Sequence, residues 1–200
     1  MKPQMMIFIG VVVVLGLVGC SAMLVPATND PAKKITYSYQ LFDEQQRPLP
    51  AEQLIRESIA SFKQENNEIG LAEAYRAYGF FFRSPALKKW REYYEANGFL
   101  EKSATFNNRY DKSIEYFENA AGLFTKNNKF DKLTNIYLNM GFSYEFADKN
   151  DKACEAYKMS LEANRKFKNV NTSASLVLPD GFTGTYDDYI SGFLKRLECK

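Results

Sequence analysis

Slid along itself by 62 residues, with no gap, the chain meets its own pattern. Gly79 falls on Gly141, Phe62 on Phe124, Asn66 on Asn128, Leu71 on Leu133, Tyr75 on Tyr137, Tyr78 on Met140 and Phe82 on Tyr144. Most of these positions lie three or four apart, the spacing that gathers side chains on one stripe of an α-helix. Leu54, Ile55, Ile59 and Phe62 keep the same spacing, and Glu65-Asn66-Asn67-Glu68 interrupts it. A recurring helical unit buries its apolar face only against its neighbours, so the chain is expected to be all-α and stacked as a short solenoid.

The segment Thr134 to Phe167 resembles one tetratricopeptide repeat, 34 residues long. Tyr137, Met140, Gly141 and Tyr144 take the first-helix positions of that motif. Ala153, Tyr157 and Ser160 take the second-helix positions. Small residues at Gly141 and Ala153 let two helices approach, and aromatics fill the space around the crossing. Tyr75, Tyr78, Gly79 and Phe82 repeat the first pattern upstream, and Tyr110, Ser113, Phe117 and Ala120 repeat the second. Two departures stand out. Arg165 replaces the closing proline, and the stretch between Arg83 and Arg109 is too long for a plain repeat. That insertion, about 84–108, holds the single Trp and is expected to add one or two short helices.

The resemblance covers residues 51–168. It implies a helical-hairpin solenoid whose first helices line a concave, partner-holding face. Glu73, Arg76, Phe80 and Arg83 would face the partner in the earlier unit, and Asn135, Leu138, Phe142 and Glu145 in the later one. Phe80 and Phe142 are not needed for the helix crossing. They are expected to anchor a peptide or partner helix, unless the insertion or a C-terminal helix covers them.

The flanks read differently. Residues 20–34, with two prolines and small polar side chains, suggest a tether. In 35–50, Ile35, Tyr37, Tyr39 and Leu41 alternate with polar residues, which predicts an extended arm. Residues 169–200 predict a loop with a turn at Asp180-Gly181, then a capping helix carrying Tyr186, Tyr189, Ile190, Phe193, Leu194 and Leu197. Thr183 or Thr185 would cap that helix.

At the other end, Met5 to Val18 is apolar apart from Gly10 and Gly16. A run of about fourteen residues suits a signal peptide and falls short of the roughly 20 that span a bilayer. It stops at Leu17-Val18-Gly19-Cys20, which resembles the bacterial lipobox. The resemblance implies a signal peptide over 1–19 and lipidation of Cys20. Two or three acyl chains, palmitate among them, hold a protein stably on a membrane. Ser21 after the lipid cysteine implies, by resemblance to enteric lipoproteins, an outer-membrane position facing the periplasm. An uncleaved anchor and an ordinary secretory signal are the alternatives.

The chemistry is narrowed most by what is missing. With no histidine there is no Ser-His-Asp triad, no Cys-His pair and no His-ligated zinc or haem. No metal or cofactor is expected. With 26 basic against 24 acidic residues, charge gives no argument for nucleic acid. Lys88, Lys89, Trp90, Arg91, Tyr93 and Tyr94 in the insertion suit either core packing or lipid headgroups. Cys154 and Cys199 are either a disulfide, in an oxidising compartment, or two free thiols. The expectation is a membrane-anchored, non-enzymatic adaptor for an unidentified protein or peptide, its oligomeric state open. A self-assembling envelope lipoprotein is the first alternative. A glycan hydrolase is the second, and it needs two carboxylates facing across a cleft.

Overall fold

The computed structural model describes residues 25, 27–171, 176 and 178–200, so the signal segment and Cys20 lie outside it. Every regular element among the described residues is helical. In chain order they are α1 (Pro31–Tyr39), continued by a π-helical turn (Gln40–Glu44), α2 (Pro48–Gln64), α3 (Glu68–Arg83), α4 (Ala86–Lys89) and α5 (Arg91–Asn97). Then follow α6 (Arg109–Lys126), α7 (Phe130–Phe146), α8 (Asn150–Val170) and α9 (Tyr186–Arg196). Apart from the small helices α4 and α5, each helix packs on the one before it. The most extensive contacts are α7 on α8 and α3 on α6. None of the described helices is long and apolar enough to cross a membrane.

One turn is used repeatedly. After α2, α6 and α7 the chain enters the left-handed region at Asn66, Asn128 and Asp148, with φ of 52°, 52° and 56°. The next amide then reaches back five residues, from Asn67 to Phe62 O, Lys129 to Phe124 O and Lys149 to Tyr144 O. This pattern satisfies carbonyls that the helix end would otherwise leave bare, and Asn and Asp accept the left-handed backbone where other side chains resist it. Three-residue loops of this kind force the next helix back along its predecessor.

The helix pairs close on glycine. A Cβ added at Gly79 would sit 2.7 Å from the ring of Phe117 on α6. One added at Gly141 would sit 2.3 Å from the ring of Tyr157 on α8. Both rings are fully buried. The second-helix stripe also extends to α2. Ala51, Ile55, Ser58 and Phe62 match Ser113, Phe117, Ala120 and Phe124 on α6 and Ala153, Tyr157, Ser160 and Asn164 on α8, and all twelve are buried. Phe117 to Tyr157 is a step of 40 residues, whereas Gly79 to Gly141 is 62, so the insertion adds 22. Buried hydroxyls cross the same contacts. Ser113 donates to Gly79 O at 2.7 Å, and Ser160 to Thr134 O at 2.7 Å.

The extended arm expected at 35–50 is helical instead, and its helix begins within the expected tether, at Pro31. Asp30 accepts the amides of Ala32 and Lys33, and Pro31 sits at the first helical position, a strong start signal. The buried residues are Ile35, Ser38, Leu41 and Phe42, three and four apart. The alternation of Ile35, Tyr37, Tyr39 and Leu41 was a helical stripe sampled at every second residue.

The insertion forms α4 and α5 and is locked on by one carboxylate. Buried Glu52 accepts the Tyr78 hydroxyl at 2.8 Å, the Leu100 amide at 2.8 Å and the Glu101 amide at 3.3 Å, all on Oε1. Burial raises its pKa above the usual carboxylate range, against the pull of these donors. A raised carboxyl pKa means the ionised form is the costlier one in the fold. The contribution of Glu52 to stability is therefore greatest at low pH and falls as pH rises through the folded value. Glu52→Gln keeps an acceptor oxygen and should remove that contribution, leaving the variant about as stable as the parent at low pH and more stable than it at neutral pH. Glu52→Leu strands three donors and should cost about 2–4 kcal/mol. Denaturant unfolding at pH 4 and 8 checks both.

The insertion's aromatics divide. Tyr94 stacks on Phe99 with ring centroids 4.1 Å apart and is buried, Trp90 donates to Gln46 O at 3.0 Å, and Tyr93 is 40% exposed. At the C-terminal end, Thr185 and Asp188 form a capping box at the start of α9. A Cys154–Cys199 disulfide, with Cα atoms 5.6 Å apart, ties the residues after α9 to the first turns of α8.

Candidate binding groove

The helices α3, α7 and α9 enclose a groove of about 580 Å³. Phe80, Leu138, Leu176, Leu178, Tyr186 and Tyr189 give it apolar walls, and Arg76, Asp131, Lys132, Asn135 and Asn139 give it polar ones. Its position follows from helix register. At about 100° per residue, Asp131, Asn135, Leu138 and Asn139 share one side of α7. Tyr137, Met140 and Tyr144 take the other side and line a separate hollow of about 420 Å³ with α6 and α8.

A second cleft of about 540 Å³ lies between α1 and α3, lined by Ile35, Thr36, Tyr39, Glu44, Glu73 and Arg76 among others. Arg76 lines both cavities. Its guanidinium donates to Glu73 at 2.8 Å, and Lys132 meets the same carboxylate at 3.2 Å. Arg76 Nε and the Tyr39 hydroxyl are both shut off from solvent here, with the Arg76 guanidinium placed as the hydrogen-bonding neighbour of the Tyr39 oxygen. Burial pushes the Tyr39 hydroxyl far above the ordinary phenol range, so it is a neutral O–H at any physiological pH. The Arg76 guanidinium lies beside it.

Of the eight residues expected on a partner-facing surface, the structure brings five together. Arg76, Phe80, Asn135 and Leu138 line the main groove, and Glu73 lines the adjoining cleft. Phe80 is not a free anchor, because its ring meets Phe117 at 5.2 Å and Tyr39 at 5.9 Å. The other three belong elsewhere. Arg83 crosses from α3 to α7, donating to Asn139 O at 2.9 Å and Asn139 Oδ1 at 2.6 Å. Burial lowers its pKa to about 10, so it stays charged, lying 5.4 Å from the Phe80 ring centroid and 5.5 Å from that of Phe142. Phe142 is covered by α9, edge-on to Phe193 at 5.1 Å. Glu145 is held by Arg196 of α9 at 2.7 Å and by the Tyr157 hydroxyl. The expected anchor and the expected acidic contact are thus spent on seating the terminal helix.

Sequence reasoning missed Tyr39, Asp131, Lys132, Tyr186 and Tyr189. Tyr39 was hidden by reading its segment as extended. The two C-terminal tyrosines were legible only as a helix stripe, since nothing in the spacing says which side a cap presents. Among the described residues no cluster of three or more Cys, Asp or Glu side chains is placed to hold a metal ion. No protein-family model, no curated protein and no solved structure matches this chain.

Proposed function

We propose that this chain is a lipid-anchored adaptor with a short tetratricopeptide-like solenoid, facing the periplasm, whose groove between α3, α7 and α9 holds a segment of another protein. The observation that carries the reading is the groove itself, an apolar trough with polar groups at Arg76, Lys132 and Asn135. Such a mixture buries side chains of a bound peptide while its polar backbone finds partners. The repeated second-helix stripe and the two glycine crossings support the solenoid reading. The lipobox at Cys20 supports the anchor. Lipidation would confine partners to one surface and raise the effective concentration of the groove there.

The test needs no knowledge of the natural partner. Random twelve-residue peptides displayed on phage are selected against the purified full chain in detergent. The best of them are synthesised and titrated against wild type and Leu138→Asp. A charge at the groove's apolar wall should weaken binding at least about tenfold. Equal affinity for both chains would remove the groove from the account.

A further inference from the structure

The hollow between α6 and α8 has a twin one unit earlier in the fold. Glu118, Ala121, Gly122 and Thr125 of α6 line it, and the residues 62 earlier, Arg56, Ile59, Ala60 and Lys63 of α2, line the twin. Tyr137 and Met140 match Tyr75 and Tyr78 by the same step. Glu155, Ala156 and Met159 of α8 match Glu115, Tyr116 and Asn119 of α6 by the step of 40. One difference is large. In the earlier hollow Tyr116 lays its ring against Tyr78, with centroids 4.5 Å apart, and against Phe82 at 5.8 Å. Its hydroxyl donates to Glu101 at 2.9 Å. In the later hollow Ala156 stands at that position, and the space is larger, about 420 Å³ against 350 Å³. What it lacks, beside its twin, is a phenol ring.

The rim decides what should accompany such a ring. Glu118 and Glu155 stand exposed on opposite banks, α6 and α8, and neither is ion-paired among the described residues. The one cation of the lining, Lys152, lies over the Tyr144 ring at 5.9 Å. A ring that arrives with cations therefore fits. Three rings are markedly exposed among the described residues: Tyr93 at 40%, Phe146 at 54% and Phe182 at 38%. Phe146 sits between Glu145 and Asp148, and Phe182 follows Asp180. Tyr93 follows Lys88, Lys89 and Arg91. Arg91 holds Glu95 at 2.7 Å, which leaves Glu92 against two exposed lysines. Tyr93 is not a wall of its own chain's hollow, because Trp90 and Leu100 tie the insertion down at Gln46 and Glu52.

We propose that Tyr93 of one copy enters the α6–α8 hollow of a second copy, its ring resting on Tyr137, Met140 and Met159 while Lys88 and Lys89 meet Glu118 and Glu155. Methionine suits this role, since its flexible side chain fits an incoming ring and its sulfur favours aromatic edges. Ring and hollow are different patches of one surface. The contact is therefore head-to-tail, and each added copy offers a free hollow to the next. It leaves the groove between α3, α7 and α9 open for its own ligand.

Exchanging the charges tests this on the full chain in detergent, with micelles in excess, by sedimentation at rising chain concentration. Wild type should associate as concentration rises. Lys88→Glu with Lys89→Glu, on the ring side, should weaken association at least about tenfold, and so should Glu118→Lys with Glu155→Lys on the hollow side. All four positions are exposed, so both variants should melt with wild type. Mixing the two variants should restore association, because each still carries the half of the contact that the other has lost. Recovery also shows that both are folded. Leu138→Asp, in the groove, should associate as wild type does. A wild-type chain that stays monomeric throughout would overturn the proposal. So would association that neither charge variant weakens, association that both lose and mixing does not restore, or association lost in Leu138→Asp.

Discussion

Gly141→Ala should lower the stability of the chain by about 3 kcal/mol, a fall in melting temperature of roughly 6–12 °C. The added methyl would press to 2.3 Å against the Tyr157 ring, and that ring has nowhere to go. It is fully buried, stacked on Phe193 at 5.1 Å, edge-on to Phe142 at 5.8 Å, and tied by its hydroxyl to Glu145. Elsewhere the same substitution is favourable, because alanine is the better helix former by about 1 kcal/mol. Gly122 on α6 supplies the comparison, since a Cβ there meets nothing within 4 Å. Gly122→Ala should stabilise by about 0.5–1 kcal/mol. The two changes thus have opposite signs at two helical glycines, which denaturant melts would resolve easily. Tyr157→Leu opens the crossing, so combining it with Gly141→Ala should cost less than the two single changes added together. Additive costs would mean that the glycine–ring contact is not what holds α7 to α8.

Breaking the Cys154–Cys199 bridge should have the next largest effect. The bond closes a loop across 45 residues that contains all of α8 beyond its first turn, the connecting segment and α9. In the chain-entropy account, opening a loop of that length costs about 4 kcal/mol, or roughly 8–16 °C of melting temperature. The loss should be local before it is global. Hydrogen exchange should speed up first in α9, whose N-terminal half is held to α8 by Tyr186–Ser160 and Asn164–Asp187 and whose C-terminal half is held to α7 by Arg196–Glu145. The measurement is a melt with and without a dithiol reductant, repeated on a Cys154→Ala, Cys199→Ala chain. Equal melting temperatures in all three would mean that side-chain packing alone seats the cap.

The path from sequence to this fold is uneven for physical reasons. The 62-residue self-match was legible because a buried crossing tolerates so few residues: Gly79 and Gly141 have a ring where a side chain would be. The turns at Asn66 and Asn128 were legible in the same way, as a backbone conformation that few residues accept. The first helix was misread because Ile35, Tyr37, Tyr39 and Leu41 satisfy a period of two as well as Ile35, Ser38, Leu41 and Phe42 satisfy a helix. The decisive residues were Asp30 and Pro31, a start signal lying just outside the alternating run. The site was half legible. Register on α3 and α7 put Arg76, Phe80, Asn135 and Leu138 on one surface. It was silent on what the chain's own ends would add or cover. Phe142 and Glu145 face the same way as Leu138, yet α9 lies over them. Contacts between distant segments, such as Tyr39 with Phe80, follow from packing and leave no local signature.

The most direct check on the whole account is where a bound peptide touches the chain. A photo-crosslinking side chain, p-benzoylphenylalanine, is placed in turn at Leu138, inside the groove, and at Met159, which is 42% exposed beside the separate hollow between α6 and α8. With a display-selected peptide bound, irradiation should join it to the chain at position 138 and leave position 159 uncoupled. Coupling at 159 with none at 138 would contradict the account and move the binding surface to the far side of α7.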